Sequence, residues 1–141
     1  MNADHKLFWE RIAELAEFGR QHGGRCFAGW PPETLLLYVC FHALAGTLFV
    51  VRRDGKPAAL GIAWPMQPDA ATPDFDWRRA TPGPALMVRE VIGDRASCRA
   101  MFRQARARWP FIQQCYAYRH RRHAAKLTLF HMEHIERFCH V

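Results

Sequence analysis

One carboxylate stands inside an otherwise apolar run. Ala85-Leu-Met-Val-Arg-Glu-Val-Ile92 is bounded by Pro84 and Gly93 and reads as a strand, with Glu90 as its acid. A carboxyl held on an apolar strand loses hydration, which disfavours its charged form and raises its pKa toward the range useful for moving protons near neutrality. The bland alternatives for Glu90 are a solvent-facing strand position or an ion pair with a nearby arginine. A cationic interval follows. No acid lies between Asp94 and Glu133, while that interval holds Arg95, Arg99, Arg103, Arg106, Arg108, Arg119, Arg121, Arg122 and Lys126. Such a one-sided field favours an anionic partner, which could be a nucleic acid, a phosphate-bearing cofactor or an acidic protein. A solvated basic face with no ligand is the competing reading. His131-x-x-His134, with Cys139-His140 nearby, offers two imidazoles at helical spacing but no third and fourth ligand at a standard interval, so no metal is expected.

The elements that must position these groups can be read from caps and periodicity. Asp4 is expected to cap a helix over residues 6–21, with Phe8, Ile12 and Leu15 on one stripe. Trp30 precedes a proline pair suited to a helix start, and the helix over 32–45 is apolar on most sides, so cover by other elements is expected. A strand over 47–52, a turn at Arg53-Asp54-Gly55-Lys56 and a strand over 58–64 make a hairpin. The stretch from Pro65 to Pro84, rich in proline, reads as a long loop that could hide a short strand near residues 75–77. Asp94 then offers an acceptor to a helix starting near Arg95, which places Arg95, Arg99, Arg103 and Arg106 along one broad face. Pro110 ends that helix. Strands over 111–119 and 124–130 follow, then a short helix over 131–139. A strand–helix–strand of this length is a parallel crossover. The whole describes an α+β architecture, a mixed sheet flanked by helices.

Composition narrows the function classes. With 141 residues, half of them hydrophobic, the chain can bury a core, and one domain over 1–141 is expected. Disorder is excluded on these grounds. Twenty Lys+Arg against 13 Asp+Glu give +7. Five cysteines without CxxC spacing, and an N-terminus interrupted by Lys6, Glu10, Arg11 and Glu14, suggest reduced thiols in a cytoplasm and no signal peptide. Cys40, Cys98 and Cys115 sit among hydrophobes and read as buried thiols, and His42 as a hydrogen-bonded core histidine. The uncharged run over 34–51 is broken by Gly46-Thr47, so no membrane span is expected.

Several residues together resemble the toxin-activating lysine acyltransferases, which acylate internal lysines of RTX haemolysins and share the GCN5-related N-acetyltransferase (GNAT) fold. They are Trp30-Pro31 opening the apolar helix, Arg53-Asp54, Pro57, Ala59, the strand at Glu90-Val91-Ile92, the aromatic-proline pair Trp109-Pro110, and His123-x-x-Lys126-x-x-x-Phe130-His131. The resemblance spans roughly residues 11–135. It implies a GNAT-like mixed sheet and transfer of an acyl group from a thioester to a protein lysine amine. Glu90 stands at the family's catalytic aspartate position. The family's histidine position, three residues before the tryptophan, is Phe27, which cannot carry a proton; Cys26 and His22 are the neighbours that could substitute. The implied donor is an acyl carrier protein docking on Arg95, Arg99, Arg103 and Arg106. Coenzyme A is the less favoured donor, because the glycine-rich pyrophosphate loop of acetyl-CoA users is replaced by Gly93-Asp94-Arg95-Ala96-Ser97. The implied partners are that carrier and a protein bearing the acceptor lysine, with homodimerisation left open. Two other readings stand beside this one: a catalytically degenerate binding or assembly module on the same fold, and a nucleic-acid-binding domain using the arginine belt with Phe102, Trp109, Tyr116 and Tyr118. The enzymatic reading requires the strand of Glu90 and its parallel neighbour to part beside the carboxylate.

Overall fold

The computed structural model of the chain describes residues 2–68, 83–120 and 125–140. The element order is α1 (Ala3–His22), α2 (Pro32–Ala45), β1 (Leu48–Arg53), β2 (Lys56–Met66), β3 (Ala85–Gly93), α3 (Arg95–Arg108), β4 (Gln114–His120), β5 (Ala125–His131) and α4 (Met132–His140). The five strands form one sheet in the order β1-β2-β3-β4-β5, antiparallel except for β3 and β4. This is an α+β, GNAT-like mixed sheet flanked by helices. The expected extra strand near residues 75–77, and the His123 end of the basic turn, lie outside the described residues.

Local chemistry explains most boundaries. Asp94 Oδ1 accepts the Ser97 amide at 2.9 Å and opens α3, as its position before the helix predicts. Gly46, at φ 75°, closes α2 in the left-handed conformation that glycine adopts without strain. Asp54 and Gly55, at φ 54° and 77°, make the tight turn between β1 and β2. Three expectations need correction. The cap of α1 is Asn2, whose Oδ1 accepts the His5 amide at 2.9 Å, so the helix begins three residues before the expected Lys6. The strand after α3 begins at Gln114 instead of Phe111, because Arg106 Nη1 donates to the Pro110 and Ile112 carbonyls at 2.9 and 2.6 Å and holds that stretch as a turn. And α2 is not covered all round: Leu37, Phe41 and Leu44 are 65%, 42% and 73% exposed along one face.

Two of the buried clusters lie on opposite faces of the sheet. One packs Ile12, Leu15, Leu35 and Val39 of α1 and α2 against Leu60 and Ile92. The other packs Met101 and Ala105 of α3 against Ala59, Ala63, Leu86 and Val88. Leu86 and Val88 thus face α3, whereas Ile92 faces α1 and α2. A β-bulge accounts for the change of side: Ile62 pairs with Glu90 and Ala63 with Val88, leaving Arg89 as the extra residue. One inserted residue reverses the facing of everything after it, so Glu90 joins Ile92 on the α1/α2 side.

Candidate functional site

The ladder between β3 and β4 runs from Ala85↔Gln114 to Val88↔Ala117 and stops there, although β3 continues to Gly93 and β4 to His120. The strands part at the bulge, next to Glu90. A cleft of about 700 Å³ opens at this place. Its walls come from both faces of the sheet: Cys26 from the α1/α2 side, and Cys98, Phe102 and Ile135 from the α3/α4 side, with Glu90 and Tyr118 between them.

Glu90 is closed off from water, at 1% exposure. Its Oε2 accepts the Tyr38 hydroxyl at 2.7 Å. Arg89 Nη1 lies 2.8 Å from Oε1 as an ion pair without the alignment of a hydrogen bond, so Oε1 has no hydrogen-bond donor among the described residues. Burial pushes the carboxyl up to about 7, with the Arg89 charge and the Tyr38 hydroxyl pulling the other way. The result is a carboxyl half-charged at neutral pH with one oxygen ready to accept a proton. The same surroundings hold the Tyr38 phenol well above its ordinary range, through burial first and then the Glu90 charge.

Tyr38 is the functional neighbour that sequence reasoning misses. It lies 52 residues from Glu90 on a helix that reads as core, and its ring packs edge-on to Phe27, Trp30 and His42 at 6.1, 5.0 and 4.7 Å. Its only visible signal is a hydroxyl on an otherwise apolar helix, since a buried Tyr O–H needs an acceptor. Tyr38→Phe is expected to move the Glu90 titration to higher pH and to cost about 1–2 kcal/mol of stability at pH 8, where the carboxylate is charged and loses its donor. A carboxyl-carbon NMR titration with urea unfolding at that pH measures both.

The other residues singled out from sequence separate into two groups. Cys26 and Arg95 line the cleft with Glu90. Burial, then the Glu90 charge, pushes the Cys26 thiol up to about 11, so it stays protonated at neutral pH and supplies no base. His22 is exposed, its ring lies tilted against Phe18 with centroids 4.7 Å apart, and it is not among the residues that line the cleft. Arg99, Arg103 and Arg106 are likewise not among the residues that line it, and Arg106 is engaged with the turn after α3 and with Glu136 at 3.0 Å. Cys98, expected to be buried, is half-buried and faces the cleft, whereas Cys40 and Cys115 are buried. Phe102 and Trp109 pack against the α3-side core, and Tyr116 and Tyr118 pack against the buried cluster of Ile62, Trp64, Met66, Ala85 and Met87, which is how core aromatics behave.

Phe27 is a packing residue. It is 6% exposed, and a Cβ placed on Gly19 would meet its ring at 3.2 Å. Phe27→His is therefore expected to cost about 2 kcal/mol through lost packing and a buried polar ring. Thermal unfolding would register it, and an unchanged midpoint would contradict the packing role. His42 is buried as expected, with Nδ1 2.6 Å from Thr47 Oγ1 and its ring stacked on Trp64. Burial first, then Arg89, pushes it down to about 4, so it is neutral at physiological pH.

Among the described residues there is no group of three or more His, Cys, Asp or Glu that could hold a metal ion. No described helix is long and apolar enough to cross a membrane. Set beside known proteins, the chain matches no family model and no curated protein.

Proposed function

We propose that this chain is an acyltransferase that moves an acyl group from a carrier-protein thioester to a lysine amine of a protein. The observation that carries the reading is the parting of β3 and β4 beside a buried carboxyl poised near neutrality. A thioester arm needs a slot through which its carbonyl meets an amine arriving from the other side, and the cleft is walled from both faces. The amine must lose a proton before it can attack. Glu90 Oε1 takes that proton, the nitrogen forms a bond to the thioester carbon, and the carbon–sulfur bond breaks. The same carboxyl then returns the proton to the leaving thiolate and takes the second proton from the nitrogen as it becomes an amide, releasing it to solvent before the next turnover, so one group serves every transfer. The edge of β3 beyond Val88 is released from the β4 ladder, and the alternate amides on that edge, which have no β4 partner, are the donors available to the developing oxyanion.

The donor preference rests on the start of α3. A helix N-terminus attracts a diphosphate, but here Asp94 occupies it, accepting from the Ser97 amide and hydroxyl at 2.9 Å each while Arg53 pairs with Asp94 at 3.1 Å. An anionic side chain at that seat repels a nucleotide diphosphate. The exposed Arg95 and Arg103 beyond it suit the acidic surface of a carrier protein. One observation favours a binding module without chemistry: the Glu90 side chain is shut off from solvent.

The test is intact mass of lysine-bearing protein substrates incubated with acyl carrier protein thioesters and this chain. Acyl mass gained on the target, and lost with Glu90→Gln, supports catalysis. No gain with any thioester, carrier or CoA, leaves the binding module. A gel shift that weakens steeply with salt would indicate nucleic acid instead.

A further inference from the structure

The Glu90 carboxylate lines the cleft yet has 0% side-chain exposure, so no solute can touch it until a neighbour moves. Tyr38 is wedged among three aromatic rings and is poorly placed to move. Arg89 is different. It is the bulged residue, its long side chain reaches the surface at 17% exposure, and its guanidinium lies 4.5 Å from the centroid of the Tyr118 ring. Since Arg89 is on β3 and Tyr118 on β4, the guanidinium bridges the two strands where their ladder has ended.

We propose that the Arg89 guanidinium occupies the seat of the acceptor's ammonium group and leaves it when a lysine side chain enters. The inference rests on the acyl-transfer reading for the acceptor's identity, and on the geometry alone for the seat. Two groups that Arg89 touches, a carboxylate oxygen and an aromatic face, are partners an alkylammonium takes in a cation-binding pocket. Its contact with Oε1 is a point-charge contact, not the two-pronged fork that makes an arginine–carboxylate pair strong. An ammonium can reproduce a point charge. Exchange of one cation for another also keeps the buried carboxylate paired throughout, avoiding the cost of an isolated charge. The titratable groups that line the cleft around this seat are Cys26 from the turn before α2, Cys115 and Tyr118 from β4, Arg95 with Cys98 from the start of α3, and His134 from α4, with Tyr38 of α2 bonded to Glu90 itself. None of these carries a second negative charge, so among the described lining residues Glu90 is the carboxylate that attracts the incoming cation.

The test uses Nα-acetyl-lysine amide as the probe, with binding followed by NMR or calorimetry at about pH 8.5, where the carboxylate is charged. Arg89→Gln removes the resident cation and is expected to bind the probe about tenfold more tightly than the wild type. Arg89→Lys is expected to restore the weak binding, and adding Glu90→Gln to Arg89→Gln is expected to abolish it. Equal affinity in wild type and Arg89→Gln overturns the proposal, as does an equal gain for the uncharged norleucine amide. If Arg89→Gln fails to fold, the wild-type Arg89 Nε–H signal decides: it must shift on saturation with the lysine probe, and an unmoved signal overturns the seat. The readout is binding, so bound probe with no acyl transfer to any target refutes the enzyme and spares the seat. Acyl transfer without a binding gain in Arg89→Gln does the reverse.

Discussion

Glu90→Gln is expected to lose acyl transfer by about 10²–10⁴-fold and, at pH 8, to gain stability. The loss follows from removing the group that accepts and returns the proton. The gain follows from linkage. The carboxyl titrates at about 7 in the folded chain against 4.5 as the ordinary value. Below pH 4.5 it is protonated in both states and costs nothing. Between 4.5 and 7 the unfolded chain releases the proton while the folded chain holds it, so stability falls as pH rises. Above 7 the deficit is complete, at about 3 kcal/mol. Glutamine keeps the shape and can still accept the Tyr38 hydroxyl, but it does not titrate. Urea unfolding across pH 4–9 should therefore show a falling limb in the wild type that is absent from the variant. Parallel curves for the two proteins would mean that Glu90 is not the group responsible.

Gly93→Ala is expected to destabilise the protein by about 3 kcal/mol. Gly93 has φ +139°, a conformation an L side chain rarely adopts, and a Cβ there would lie 2.6 Å from the Ala58 carbonyl oxygen and 2.7 Å from the Ala59 Cβ. Those contacts are with backbone and a core methyl of β2, which cannot turn aside. Relief requires the end of β3 to back away from β2, and Gly93 both lines the cleft and precedes the Asp94 cap. The variant should thus lose cleft geometry together with stability. Denaturant midpoints measure the first effect, and a change below 1 kcal/mol would show that the strand end yields more readily than this packing implies.

These two residues also mark where sequence reasoning succeeds and where it stops. Gly93 and Asp94 are legible because each acts locally: a strand ends, a carboxylate caps the next turn, and fourteen residues of α3 follow within the predicted bounds. The span of α2, fixed by Pro32 and Gly46, and the turn at Asp54-Gly55 are legible for the same reason. Glu90 stands out as a polar residue in an apolar strand. What surrounds it does not. The bulge at Arg89 leaves no residue signature, and the Tyr38 contact joins positions 52 apart that only tertiary packing brings together. Phe27 is informative as a missing histidine, but that it fills the space beside Gly19 depends on how α1 meets the turn after it. The arginine spacing on α3 correctly identifies a helix face, yet periodicity is silent on which members face the cleft, and Arg106 serves the following turn.

The four-pair junction of β3 and β4 has a further bearing on how the molecule breathes. In most sheets the central strands hold their amide protons longest and the rims release them first. Here the middle is where hydrogen bonding runs out, so the seam should exchange deuterium ahead of the β1–β2 and β2–β3 ladders beside it. A meander and a hairpin, each with its own helices, would then be seen to loosen along their common border while both remain folded.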